Sequence, residues 1–173
     1  MILLAMSLLL CATPPLSCPP GAEIRGARPP EGEEEWCEAP DPDSPAGASY
    51  REGPSLRYYD DGQVWIESSY HRGRLSGHFL ERFRGGGKAR EGLFEDGKRV
   101  GRWTFFAEDG TLVEESAFKA GLLDGPFVQY FPNGKVKNEG RHCLGIQCGW
   151  WRSFDESGRE ISRVEFAVPR GEP

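Results

Sequence analysis

Glycine recurs along this chain every 24 residues, at Gly53, Gly77, Gly101, Gly125 and Gly149. A second column follows nine positions later, at Gly62, Gly86, Gly110, Gly134 and Gly158. A third runs Gly73, Gly97, Gly121 and Gly145, with Pro169 in the next place. Self-similarity at a fixed period of this size means a modular array, in which each unit buries its apolar face against its neighbours. The period outranks any local motif, because a short motif inside a repeat is first of all part of the repeat.

Other columns identify the module. Phe79, Trp103, Phe127 and Trp151 stand two places after the first glycine, with Ser55 as the weak first member. Tyr58, Phe106, Tyr130 and Phe154 stand five after it, and the second unit has Arg82 followed by Phe83. Tyr70, Phe94, Phe118, His142 and Phe166 form a third aromatic column, and Glu67, Glu91, Glu115 and Glu139 an acidic one. In the third unit "WTFF" and "TLVEESAF" are aromatic and β-branched runs separated by Glu108-Asp109-Gly110, a tight hairpin signal because Asp and Gly accept positive φ. "KAGLLDG" then turns the chain again.

Each unit therefore reads as a β-hairpin. The expected fold is all-β, an elongated single-layer antiparallel meander of five 24-residue hairpins over residues 53–168, with an irregular N-terminal leader and a tail at 169–173. Stacked hairpins place like columns side by side, where cross-strand aromatic pairs add about 0.2–1 kcal/mol each. Ser68, Gly92, Ser116 and Gly140 lie two places before the third aromatic column and leave room for rings to lie across the sheet. The first two aromatic columns differ in parity, which calls for a bulge or bend between them.

Composition supports a turn-rich β protein, with 23 Gly and 14 Pro in 173 residues. The net charge of −6 is unevenly placed: residues 1–52 hold nine acids and three bases, and residues 53–168 hold seventeen of each. A neutral body lacks the basic face that nucleic acid or anionic lipid requires. The second unit is basic and the third acidic, an asymmetry that would fix register or mark a bipolar docking face.

The N-terminus reads as an address. "MILLAMSLLLCATPPLSC" carries an apolar run from Ile2 to Ala12, shorter than the roughly 20 residues of a membrane span. It fits the h-region of a secretory signal over residues 1–17, although no cation precedes Arg25. Cys11 is the candidate for lipidation and Cys18 the alternative; neither lies in a clean lipobox. Residues 18–52 are rich in Pro and acids and read as a semi-extended leader, with Trp36 and Cys37 in its middle as though part of it docks.

Few residues suggest chemistry. Cys143 and Cys148 bracket "LGIQ" in a turn, a spacing that suits a disulfide stapling a hairpin. A metal site from these two with His142 lacks the second ligand pair that zinc usually has. "RGGGKAREG" at 84–92 fails the phosphate-loop pattern, because Ala89 follows Lys88. His71 and His78 flank a turn and read as surface. The glutamate column offers like environments, whereas acid–base pairs need unlike ones, so it reads as a solvated face neutralised by cross-strand cations. No catalytic, cofactor or metal site is expected.

"GRWTFFAEDGTLVEESAFKAGLLDG", read from Gly101, resembles the bacterial variant of the MORN repeat, also found in "antitoxin repeat" proteins. The resemblance spans Gly53 to about Val168. It implies an elongated single-layered sheet used for binding proteins or membranes, without catalysis. The segment from Cys18 to Asp41 resembles a leader ahead of such repeats in exported proteins, which implies a Cys18–Cys37 disulfide. The expected function is an exported module of the periplasm or envelope that binds or scaffolds a protein partner. Any membrane contact would run through an N-terminal lipid, not the repeats. Trp103, Phe127, Tyr130 and Trp151 are the candidate binding face, since a single layer leaves rings uncovered. The alternative is a cytosolic antitoxin that neutralises a toxin partner.

Overall fold

The computed structural model describes residues 15–169. The whole apolar N-terminal run, the candidate lipidation site Cys11 and the last four residues lie outside them. The described residues form thirteen strands and no helix. In chain order these are β1 (Glu23–Ala27), β2 (Glu34–Pro40), β3 (Ser49–Tyr58), β4 (Val64–His71), β5 (Arg74–Leu75), β6 (Gly77–Arg82) and β7 (Lys88–Glu95). They continue with β8 (Lys98–Phe106), β9 (Leu112–Lys119), β10 (Leu122–Tyr130), β11 (Val136–Cys143), β12 (Ile146–Phe154) and β13 (Glu160–Phe166). All belong to one open antiparallel sheet in sequence order, with the short β5 attached to β4. The meander is therefore as the 24-residue period predicts.

Two kinds of turn alternate along the sheet. Within a unit the chain reverses over residues such as Ala107–Thr111, where Ala107 N–H donates to Thr111 O and Gly110 N–H to Ala107 O, each at 2.9 Å. Between units it reverses in two residues: Ala120 and Gly121 take φ of 51° and 90°, the positive pair that matches the twist of the flanking strands. The first glycine column marks a bulge. Pairing between β10 and β9 jumps from Leu123↔Phe118 to Phe127↔Ser116 across Gly125, whose φ is +133° and whose Cβ, were one present, would lie 2.7 Å from Ala117 Cβ. Only glycine fits there without strain.

The bulge that column parity calls for lies on the returning strand. Register passes from Phe105↔Glu114 to Phe106↔Leu112, leaving Val113 unopposed. Between its two aromatic columns the outgoing strand keeps strict alternation, so those columns point to opposite faces of the sheet. One face carries Phe79, Trp103, Phe127 and Trp151 and is here called the ring face. The other carries the glutamate column, with Glu67 paired to Arg82 at 2.8 Å, Glu91 to Lys88 at 2.7 Å, Glu115 to Arg102 and Glu139 to Arg152. These pairs are largely solvated, and each is worth no more than about 1 kcal/mol.

The leader departs from expectation. It is not irregular: β1 pairs with β2 and β2 with β3, so it extends the sheet by two strands. Trp36 stands opposite Ser55 and supplies the ring that the first unit lacks. Cys37, bonded to Cys18, is fully buried, and Tyr58 O–H donates to Glu35 at 2.6 Å. Its proline and acid content hid two strands whose partners are β3, the first strand of the repeats, and each other. Cys143 and Cys148 are bonded across the turn that joins β11 to β12.

Candidate functional site

The ring face is built from one rule applied twice. Each first-column ring lies over a small residue of the preceding strand: Ser68 comes before Phe79 and Ser116 before Phe127, but Gly92 before Trp103 and Gly140 before Trp151. A Cβ on Gly92 would stand 2.3 Å from Trp103 Cδ2, and one on Gly140 2.3 Å from Trp151 Cδ2. The larger ring therefore needs the bare backbone. Each indole is also pinned at its edge, Trp103 Nε1–H donating to Leu93 O at 3.2 Å and Trp151 Nε1–H to Arg141 O at 3.0 Å. On this face the real period is two units, 48 residues.

The two tryptophans differ in what covers them. Trp103 is 1% exposed. Phe79, Phe94, Phe118 and Phe105 surround it at ring-centroid distances of 5.7, 5.1, 6.1 and 6.4 Å. The Arg99 guanidinium lies over it at 5.4 Å and over Phe118 at 4.6 Å. Arg51, 48 residues earlier, lies likewise over Trp36 and Tyr70, at 4.6 and 5.3 Å. Trp151 keeps the walls, with Phe127, His142 and Phe166 at 5.3, 5.0 and 6.5 Å. It loses the cover, because Gln147 stands where the pattern has Arg99 and Ser153 where it has Phe105.

The result is an open groove of about 440 Å³ over β10 to β13. Phe127 and Trp151 form its floor, and Gln129, Asn138, Gln147, Ser153 and Ser162 its rim. No Asp, Glu, Lys or Arg lines it. Gln129 donates to Glu114 at 3.2 Å and accepts from Asn138 at 3.1 Å, a ladder that fixes how both amides point. His142 is 9% exposed and its Nδ1 has no hydrogen-bond partner. Burial pulls the imidazole pKa below its ordinary value, against a smaller upward pull from Glu114, and so favours the uncharged ring.

Two members of the expected binding face are corrected by this geometry. Trp103 is closed over by Arg99 and four phenylalanines and belongs to the core. Tyr130 lies on the opposite face, its O–H donating to Glu115 at 3.0 Å, because the bulge sits on β11 and not on its own strand. Phe127 and Trp151 are brought together in the groove. The rim residues escaped a 24-residue alignment; comparison at 48 residues would have found them, since Glu81, Arg90, Arg99 and Glu114 become Gln129, Asn138, Gln147 and Ser162. Cys143 and Cys148 are bonded to each other and offer no thiolate to a metal. Among the described residues no three His, Cys, Asp or Glu side chains gather as a metal site.

No curated protein matches the chain. The repeat, however, is recognised within it: residues 51–72, 99–120 and 123–142 each match the family model described as MORN repeat variant.

Proposed function

We propose that this chain is an exported, non-enzymatic repeat module that binds another macromolecule of the cell envelope through the ring face of its last two units. Repeats of this variant are generally binding modules. The observation that carries the reading is the uncovered Trp151 beside Phe127, in an array whose equivalent Trp103 is sealed. An aromatic surface left open where the same chain knows how to close it marks a contact site. Two disulfides favour an oxidising compartment over the cytosol.

Alanine at Phe127 and Trp151 in the full chain tests the surface. Capture of envelope material by the immobilised protein should fall by about tenfold or more, with circular dichroism unchanged. Capture that survives the double substitution refutes it. Export is tested by cell fractionation with thiol trapping: a cytosolic chain with free cysteines refutes export and favours the toxin-neutralising alternative.

A further inference from the structure

Resting on that reading of the surface, we propose that the groove over β10 to β13 seats a neutral sugar ring of a polysaccharide or glycan. The floor is a fixed plane. Trp151 lies on the Gly140 backbone, is held at Nε1 by Arg141 O and is walled by Phe127 and Phe166. A ring already held loses little freedom on binding, and the flat C–H face of a pyranose packs on such a plane.

The rim matches the rest of a sugar. Amides and hydroxyls each donate and accept, as sugar hydroxyls do, and Gln129, Asn138, Gln147, Ser153 and Ser162 encircle the floor. The chain is 28% charged, yet all four charged side chains found at the corresponding places two units earlier are replaced here by amides or a hydroxyl. A phosphate headgroup or a charged peptide would find no counter-charge in the lining. An extended peptide takes its main-chain partners at a strand edge. The floor strands β10, β11 and β12 have theirs engaged in pairing on both sides, and the nearest free edge, on β13, lies at the groove's wall and not under its floor. The groove's size falls in the ordinary range for small-ligand sites, about 300–1,000 Å³.

Calorimetric titration of the full chain with three neutral tetrasaccharides tests the proposal: a β-1,4-linked N-acetylglucosamine tetramer, cellotetraose and maltotetraose. At least one should bind saturably. Trp151→Ala should weaken it by about tenfold or more, a change equivalent to 1.4 kcal/mol. The pair Gln147→Arg with Ser153→Phe rebuilds the cover seen on Trp103; it should abolish binding while holding or raising the thermal midpoint, which separates closure from misfolding. Val128→Ala, on the opposite face, should change nothing. No saturable binding of any of the three at millimolar concentration, or binding that the rebuilt cover leaves intact, overturns the proposal. If envelope capture still requires Trp151, is destroyed by protease treatment of the envelope fraction and survives its enzymatic deglycosylation, the occupant is a protein: the sugar is refuted and the surface stands. If capture ignores Trp151, the surface itself is refuted.

Discussion

A methyl group on Gly92 would sit 2.3 Å from the Trp103 indole, well inside van der Waals contact. The indole cannot retreat, since Arg99 lies over it and Leu93 O holds its edge. Gly92→Ala is therefore expected to cost about 1–3 kcal/mol, the range for overpacking a close-packed interior. Gly92→Ser combined with Trp103→Phe recreates the Ser–Phe pairing of the neighbouring units and should recover much of the loss in urea denaturation; a double variant no better than Gly92→Ala alone would disprove the size rule. His142 poses the opposite case, a polar ring in a column otherwise filled by Tyr or Phe. Its Nδ1 is buried without a partner, so His142→Phe should stabilise the chain by about 1 kcal/mol. The pH sign is set by the lowered pKa. The unfolded chain takes up a proton at this site before the folded one does, so His142 leaves stability intact above its unfolded pKa of about 6.5 and erodes it as pH falls below. Chemical denaturation of wild type and His142→Phe between neutral and acid pH should show the gap between them widening toward acid.

The hairpin is the element at which the sequence speaks most clearly, because each of its turns demands a backbone that few residues accept. Gly110 and Gly121 take φ of 84° and 90°, and each recurs at 24-residue intervals. The Leu144-Gly145 turn carries an added clamp in the Cys143–Cys148 disulfide. Replacing both cysteines by serine should cost about 2 kcal/mol by the loop-entropy account, since the closed loop is short. Reduction of the wild type should reproduce the shift in thermal midpoint, and an unchanged midpoint would assign the turn's stability to its backbone alone. Other elements were less legible for physical reasons. β1 and β2 carry Pro29, Pro30, Gly26 and Gly32 around them, residues that read as linker, and their strand character comes from pairing with each other and with β3. The face of Tyr130 depended on which strand held the bulge, and a column of residues does not say. Trp103 and Trp151 occupy one column, and their opposite fates were written in residues 99 and 147, on the same strands as the rings but legible only at twice the obvious period.

At the scale of the molecule, strands pair in chain order with β5 off the path, and the ring contacts join first-column rings of adjacent units, so stability is a sum over units and the interfaces between them. The two ends of that sum are unlike. The N-terminal end is closed by the leader, with Cys37 fully buried, Cys18 bonded to it and Glu34 paired to Arg51. The C-terminal end is β13, all seven of whose residues are exposed, and it forms one wall of the groove. Local opening should therefore be easiest at β13 and hardest near Trp103, where rings pack from both sides. Amide hydrogen exchange should rank β13 fastest and β7 to β9 slowest. Replacing Cys18 and Cys37 by serine removes about 3 kcal/mol of loop constraint from the opposite end. In a nearest-neighbour array this should speed exchange in β1 to β3 while leaving β9 to β11 at their wild-type rates. Uniform acceleration from β1 to β13 would mean that the sheet opens as one unit, and the modular account of its stability would fail with it.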